Sequence, residues 1–162
     1  MAKNLVLQGF FAFEKTKKIF CSLEISYKKK GGVKMKQVFG DELKKIQLEI
    51  LDSVARFCEE NHISYWIDSG TLLGAIRHKG YIPWDDDIDI GMLRKDYDRF
   101  AAIFNSKQTR YQFLCIENTP NFYLPYGKVC DPNTLLYEPD EDGYKLAINI
   151  DIFVYDNAPD DD

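Results

Sequence analysis

The sequence has no apolar run long enough to span a bilayer, which takes about 20 residues. The nearest candidate, LVLQGFFAF at residues 5–13, runs into Glu14 and a lysine cluster and has no small-residue cleavage site, so it reads as neither anchor nor signal peptide. Metal-type cysteine spacing is also missing. Cys21, Cys58, Cys115 and Cys130 form no C-x-x-C pair, and the two histidines, His62 and His78, stand in no zinc-like spacing with them. A structural zinc site is not expected; the cysteines read as small, reduced, apolar residues of a cytoplasmic protein. Excess positive charge is lacking too. A net charge of −5 argues against a nucleic-acid binder, which must displace counterions with a basic surface.

What is present suits a globular core. The chain of 162 residues is 45% apolar and 14% aromatic, enough for one domain or part of a larger one. Its charge is uneven: lysines crowd the stretch from Lys15 to Lys36, and acids crowd 138–142 and 160–162. The basic head suggests a peripheral contact with the anionic inner face of a membrane. A sharper reading starts from KKGGVKM at 29–35, which is what a purine-rich ribosome-binding site spells when translated. On that reading the native protein starts at Met35, residues 1–34 are a leader that is either not native or disordered, and the domain occupies 35–162.

From residue 41 the pattern becomes regular. Leu43, Ile46, Ile50, Val54 and Phe57 recur at helical spacing, which predicts a helix over 42–60 capped by Asp41 and stopped by Asn61. ISYWID (63–68) alternates as a strand. Ser69, Gly70 and Thr71 form a turn before a helical segment, 72–77, and such a turn directs backbone N–H groups at one point where anions bind. DIDIGM (87–92) reads as a strand and 95–104 as a helix. Strand-like segments follow at 111–116, 126–130, 134–138 and 146–155. The sum is an α+β class, with helices early and strands late.

The chemistry is concentrated in WDDDIDI, residues 84–90. Alternate residues of a strand share a face, so Asp87 and Asp89 project together while Ile88 and Ile90 point to the core. Asp85 joins the acids if the extended backbone starts early, and Asp86 turns away. Such crowded carboxylates raise one another's pKa unless a cation lies between them, and oxygen-only donors suit Mg²⁺ or Mn²⁺. An EF-hand does not fit, because Ile90 takes the place of the required glycine. Asp151, between Ile150 and Ile152, is a third acid on an apparent strand. One neighbouring strand would bring it to the pair. A bare D-x-D leaves a nucleotide-sugar glycosyltransferase open as a second reading, and a non-catalytic fragment that binds metal or a partner chain as a third.

The run GTLLGAIRHKGYIPWDDDIDIGMLRKDYDRF (70–100), with CEENHISYWIDS before it and NIDIFVYD near the end, resembles the signature of the LicD family of choline-phosphate transferases, which are related to fukutin and fukutin-related protein. The likeness covers about residues 41–158. It implies a nucleotidyltransferase fold of the DNA-polymerase-β type, with Asp87, Asp89 and Asp151 as catalytic and metal-binding acids and Asp85 as an additional ligand. Substrate binding then falls on Ser69, Gly70 and Thr71, and Lys128 in YGKVC matches a basic position of the family. Beside the resemblance, Arg77, His78 and Lys79 follow the helix as basic groups that could neutralise phosphate, and Trp84 and Tyr81 could stack on a base or hold a quaternary ammonium. The resemblance further implies an Mg²⁺- or Mn²⁺-dependent transfer of phosphocholine, or a similar phospho-alcohol, from a CDP-linked donor to a sugar hydroxyl of lipopolysaccharide, teichoic acid or capsule, at a cytoplasmic site facing the membrane. Family members run on past the I-D-I-F strand, so a C-terminally truncated domain is expected. Val154 replaces the proline common after that motif.

Overall fold

The computed structural model describes residues 24–27, 37–38, 40–108, 110–137 and 147–158. The acids of 138–142, the tail at 159–162 and most of the expected leader lie outside the described residues. Among the described residues three helices are seen: α1 (Asp41–Glu60), α2 (Ser69–Arg77) and α3 (Arg94–Lys107). The strands are β1 (Glu24–Tyr27), β2 (Gln37–Val38), β3 (Trp66–Ile67), β4 (Asp89–Leu93), β5 (Gln112–Leu114), β6 (Gly127–Cys130), β7 (Thr134–Tyr137) and β8 (Asn149–Tyr155).

A five-stranded open sheet runs in the order β3-β4-β8-β6-β5; β4 and β8 are parallel and the other pairs antiparallel. A separate three-stranded antiparallel sheet has the order β2-β1-β7. Its central strand, β1, lies within the stretch read from sequence as a leader.

The core follows from the two periodicities. α1 buries Leu43, Ile46, Ile50, Leu51, Val54, Phe57 and Cys58 along one face, as its 3.6-residue repeat requires. α3 buries Tyr97, Phe100 and Phe104. Phe57 meets Phe100 and Phe104 edge-on, with centroids 5.5 and 4.8 Å away, and Phe100 meets Phe113 of β5 at 5.1 Å. Ile88, Ile90, Met92, Ile150 and Ile152 complete the packing and are at most 1% exposed. Fully burying such a side chain contributes about 1.5–3 kcal/mol. The alternate positions Asp89 and Asp151 are thereby turned to the other face. The cysteines among the described residues, Cys58, Cys115 and Cys130, are buried, in keeping with small apolar residues of a core.

Local corrections have physical reasons. Gly40, not Asp41, is the N-cap of α1; its φ of +52° favours glycine, and Asp41 instead adds an acid to the first turn, where the helix dipole favours one. Asn61 does stop α1, and its side-chain amide donates to the Phe57 carbonyl at 2.8 Å. ISYWID shrinks to Trp66–Ile67 because the Ile63 N–H closes the end of α1 on the Cys58 carbonyl and only Ile90 and Gly91 face the strand. Ser69, Gly70 and Thr71 are the first turn of α2, not a turn before it. β4 starts at Asp89, so Asp87 and Ile88 precede the strand.

Candidate active site

Asp89 is held from both sides by the start of α2. Its backbone N–H donates to Thr71 Oγ1 at 2.8 Å, and its carbonyl accepts from the Asp68 N–H at 3.0 Å. The parallel register sets Asp89 of β4 opposite Asp151 of β8, and the antiparallel register sets Asp151 opposite Lys128 of β6. Acids remote in sequence therefore meet on adjacent strands. The loop that carries Asp85, Asp86 and Asp87 is pinned to α1. Gln47 Nε2 donates to the Asp86 carbonyl at 2.7 Å, while the Tyr81 hydroxyl donates to Gln47 Oε1 at 3.1 Å.

Gly70 explains how the helix start and the acids fit together. A Cβ there would lie 2.7 Å from Asp85 Oδ2, so the carboxylate occupies the space that the missing side chain leaves. Gly74 has a structural role: a Cβ would stand 2.5 Å from the Gly80 carbonyl oxygen and 2.9 Å from the Ile82 nitrogen. It seats α2 on the turn that leads into the aspartates.

The acids raise one another. Burial pushes the Asp89 carboxyl up to about 7, and the charges of Asp87, Asp151 and Asp85 add to it. Burial and the adjoining Asp87 push Asp85 up to about 6. Asp151 is also raised, by burial, against the opposing charge of Lys128. Lys128 Nζ donates to Asp151 Oδ1 at 2.5 Å and to Asn149 Oδ1 at 3.1 Å.

These donors suit a hard divalent cation: they are oxygens only, and a cation relieves the repulsion that raises Asp89. Asp87 and Asp89 could hold it. Among the described residues no three Asp, Glu, His or Cys side chains stand as a ready metal cage. A magnesium site needs none, since that ion takes one or two carboxylates and fills its shell with water and substrate phosphate.

The other predicted residues stand at the surface. Arg77, His78 and Lys79 are exposed at the far end of α2, about 12 Å along the axis from its first residue. Trp84 is 73% exposed, and the His78 ring is its edge-on neighbour at 6.4 Å. Some site neighbours were not foreseen. Asp68 caps α2 by accepting from the Ser69 N–H at 2.8 Å, and its other oxygen accepts from the Tyr155 hydroxyl. An Asp directly before S-G is an N-cap signal that points to it. Asn149 shares a strand face with Asp151, two residues on. Lys44 of α1 lies near enough to Asp85 and Asp86 to feel their charge and stacks over the Tyr81 ring at 4.6 Å; no pattern in α1 marks it.

The fold and site define an α+β domain that gathers aspartates on one sheet face against a glycine-bearing helix start. Residues 62–132 match the family described as LicD/FKTN/FKRP, nucleotidyltransferase domain, so the chain carries a LicD-family domain. It is 40% identical over 127 residues to the lipopolysaccharide cholinephosphotransferase LicD of Haemophilus influenzae, covering 77% of this chain and 47% of that protein. An uncharacterised protein of Rickettsia typhi is 34% identical over 84 residues, 47% of this chain and 27% of that one. The human ribitol 5-phosphate transferase FKRP is 42% identical over 53 residues, 30% of this chain and 11% of its own length. The chain thus spans about half the length of the LicD protein and less of the others. No helix among the described residues is long and apolar enough to cross a membrane.

Proposed function

We propose that this chain carries the donor-handling part of a phosphotransferase with a nucleotidyltransferase fold. It would pass phosphocholine, or a related phospho-alcohol, from a CDP-activated donor to a sugar hydroxyl of a cell-surface glycan such as lipopolysaccharide, teichoic acid or capsule. The setting would be the cytoplasmic face of the membrane. The observation that carries the reading is the register of Asp89 opposite Asp151, with Asp89 tied to Thr71 at the start of α2. The printed names of the relatives, a cholinephosphotransferase and a ribitol 5-phosphate transferase, support the same transfer class.

Asp87 and Asp89 would hold Mg²⁺ or Mn²⁺, which when bound supplies charge neutralisation to the phosphate oxygens and the leaving group. The first turn of α2, Ser69, Gly70 and Thr71, would present its positive end to the donor phosphates; within it the Ser69 N–H donates to Asp68. Asp151 accepts the proton of the attacking hydroxyl. The hydroxyl oxygen forms the new P–O bond as the bond to CMP breaks. Trp84, exposed beside the acid loop, offers a face for the base or for a quaternary ammonium.

The test is release of CMP from CDP-choline in the presence of Mg²⁺, compared with CDP-ribitol and UDP-sugars. Release that vanishes in the Asp87→Asn, Asp89→Asn double variant supports the reading. A preference for UDP-sugars replaces it with a glycosyltransferase. Folded protein that binds none of these nucleotides would leave a non-catalytic module.

A further inference from the structure

Lys128 stands where few lysines do. Its residue is only 9% exposed, and its ammonium is enclosed by the Asp151 carboxylate at 2.5 Å, the Asn149 amide oxygen at 3.1 Å and the Tyr126 ring at 5.4 Å. The position is dictated by register, since residue 128 is the cross-strand partner of residue 151. Asn149 is itself fixed, donating through Nδ2 to the Ala147 carbonyl at 2.8 Å. This is an ammonium held by oxygens and a ring, in the manner of a bound cation.

We propose that Lys128 is a built-in cation of this site, occupying Asp151 in place of a second divalent ion, so that the acids take a single ion on Asp87 and Asp89. The inference rests on the metal-dependent reading above and sharpens it. A second ion beside the first would need Asp151. To reach it the ion would have to expel the buried ammonium from Asp151 and Asn149, and a buried charge stripped of its partner is strongly unfavourable. The remaining pair is the number of carboxylates that magnesium ordinarily takes from protein when phosphates complete its shell. Lys128 is thus a positioning residue: it holds the Asp151 carboxylate in place and keeps it free of metal.

The experiment counts bound Mn²⁺ on the full chain by loss of the free-ion electron paramagnetic resonance signal, with calorimetry as a second count. Wild type should bind one ion per chain, Lys128→Arg one, and Lys128→Met two, as Asp151 becomes available. The Asp87→Asn, Asp89→Asn variant should bind none. Two ions on wild type, or one on a folded Lys128→Met, overturns the inference and leaves the transferase reading standing. No ion on wild type defeats the metal-dependent reading itself, and this inference with it. Should Lys128→Met fail to fold, amine acetylation of wild type read by mass spectrometry decides. Lys128 should label equally, within two-fold, with and without saturating Mn²⁺. A ten-fold rise on adding the ion would show the ammonium displaced and would overturn the proposal.

Discussion

Helices α1 and α2 invite comparison, because they do opposite work with similar apolar content. α1 turns one long stripe inward and buries Ile50, Val54 and Cys58 completely. α2 buries only Thr71 and Gly74, and leaves Leu72, Leu73 and Ile76 at 39%, 40% and 63% exposure. α1 is held by volume. α2 is held by closeness: a glycine lets it touch the Gly80–Ile82 backbone, and one hydroxyl ties it to Asp89. Volume secures the fold, while closeness sets where the first turn of α2 faces the acids.

The largest test of this division is the Asp87→Asn, Asp89→Asn pair. CMP release should fall to background while thermal stability in metal-free buffer stays level or rises, because the change removes like-charge repulsion. Loss of both together would mean that the acids also hold the fold. Next, Ile50→Ala in α1 should cost about 2–5 kcal/mol by urea unfolding, with donor affinity of the folded fraction unchanged. Gly74→Ala should cost less, about 1–3 kcal/mol from overpacking, yet shift donor affinity, since it moves α2 off its seat; a change in stability alone would sink the positioning role.

A smaller effect is expected with pH. Asp89, near 7 in the fold, keeps a proton that the unfolded chain gives up near 4. Native protein then binds more protons than unfolded between those values, so this contribution is complete at acid pH and fades as pH rises toward 7. Asp85, near 6, acts in the same direction. Urea midpoints of metal-free wild type should decline across that window more than those of Asp89→Asn, and parallel slopes would refute the assignment. Smallest of all, Ile76→Ser on the outer face of α2 should change stability by no more than about 0.5 kcal/mol. A larger loss would show that this face is covered.

Much of this was legible in the sequence where a period governed it. α1 and α3 were placed to within a few residues, because each buries a stripe that the spacing of Ile50 and Val54, or of Phe100 and Phe104, announces. The alternation of Ile88, Asp89 and Ile90 correctly separated core face from acid face. The neighbouring strand expected to carry Asp151 is there, but its direction and register were not legible. That β8 lies parallel beside β4, with Asp151 in register with Asp89, depends on crossings no local pattern encodes. Nor did Lys128 in YGKVC show that its ammonium would lie on Asp151, because that contact is set by the β6–β8 register. Single hydrogen bonds escaped as well: Gln47 sits among core residues of α1, yet its amide holds the aspartate loop.

The parallel pairing of β4 with β8 has a consequence for the order of assembly. The two acids that face each other are about 60 residues apart in the chain, and closing a loop of that length is entropically unfavourable until other contacts compensate. A nascent chain that has made β4 and not yet β8 holds Asp89 without Asp151 and without the salt bridge to Lys128. The acid site therefore comes into being only when the last described strand slides between β4 and β6, which makes the site itself a check that the sheet has been completed.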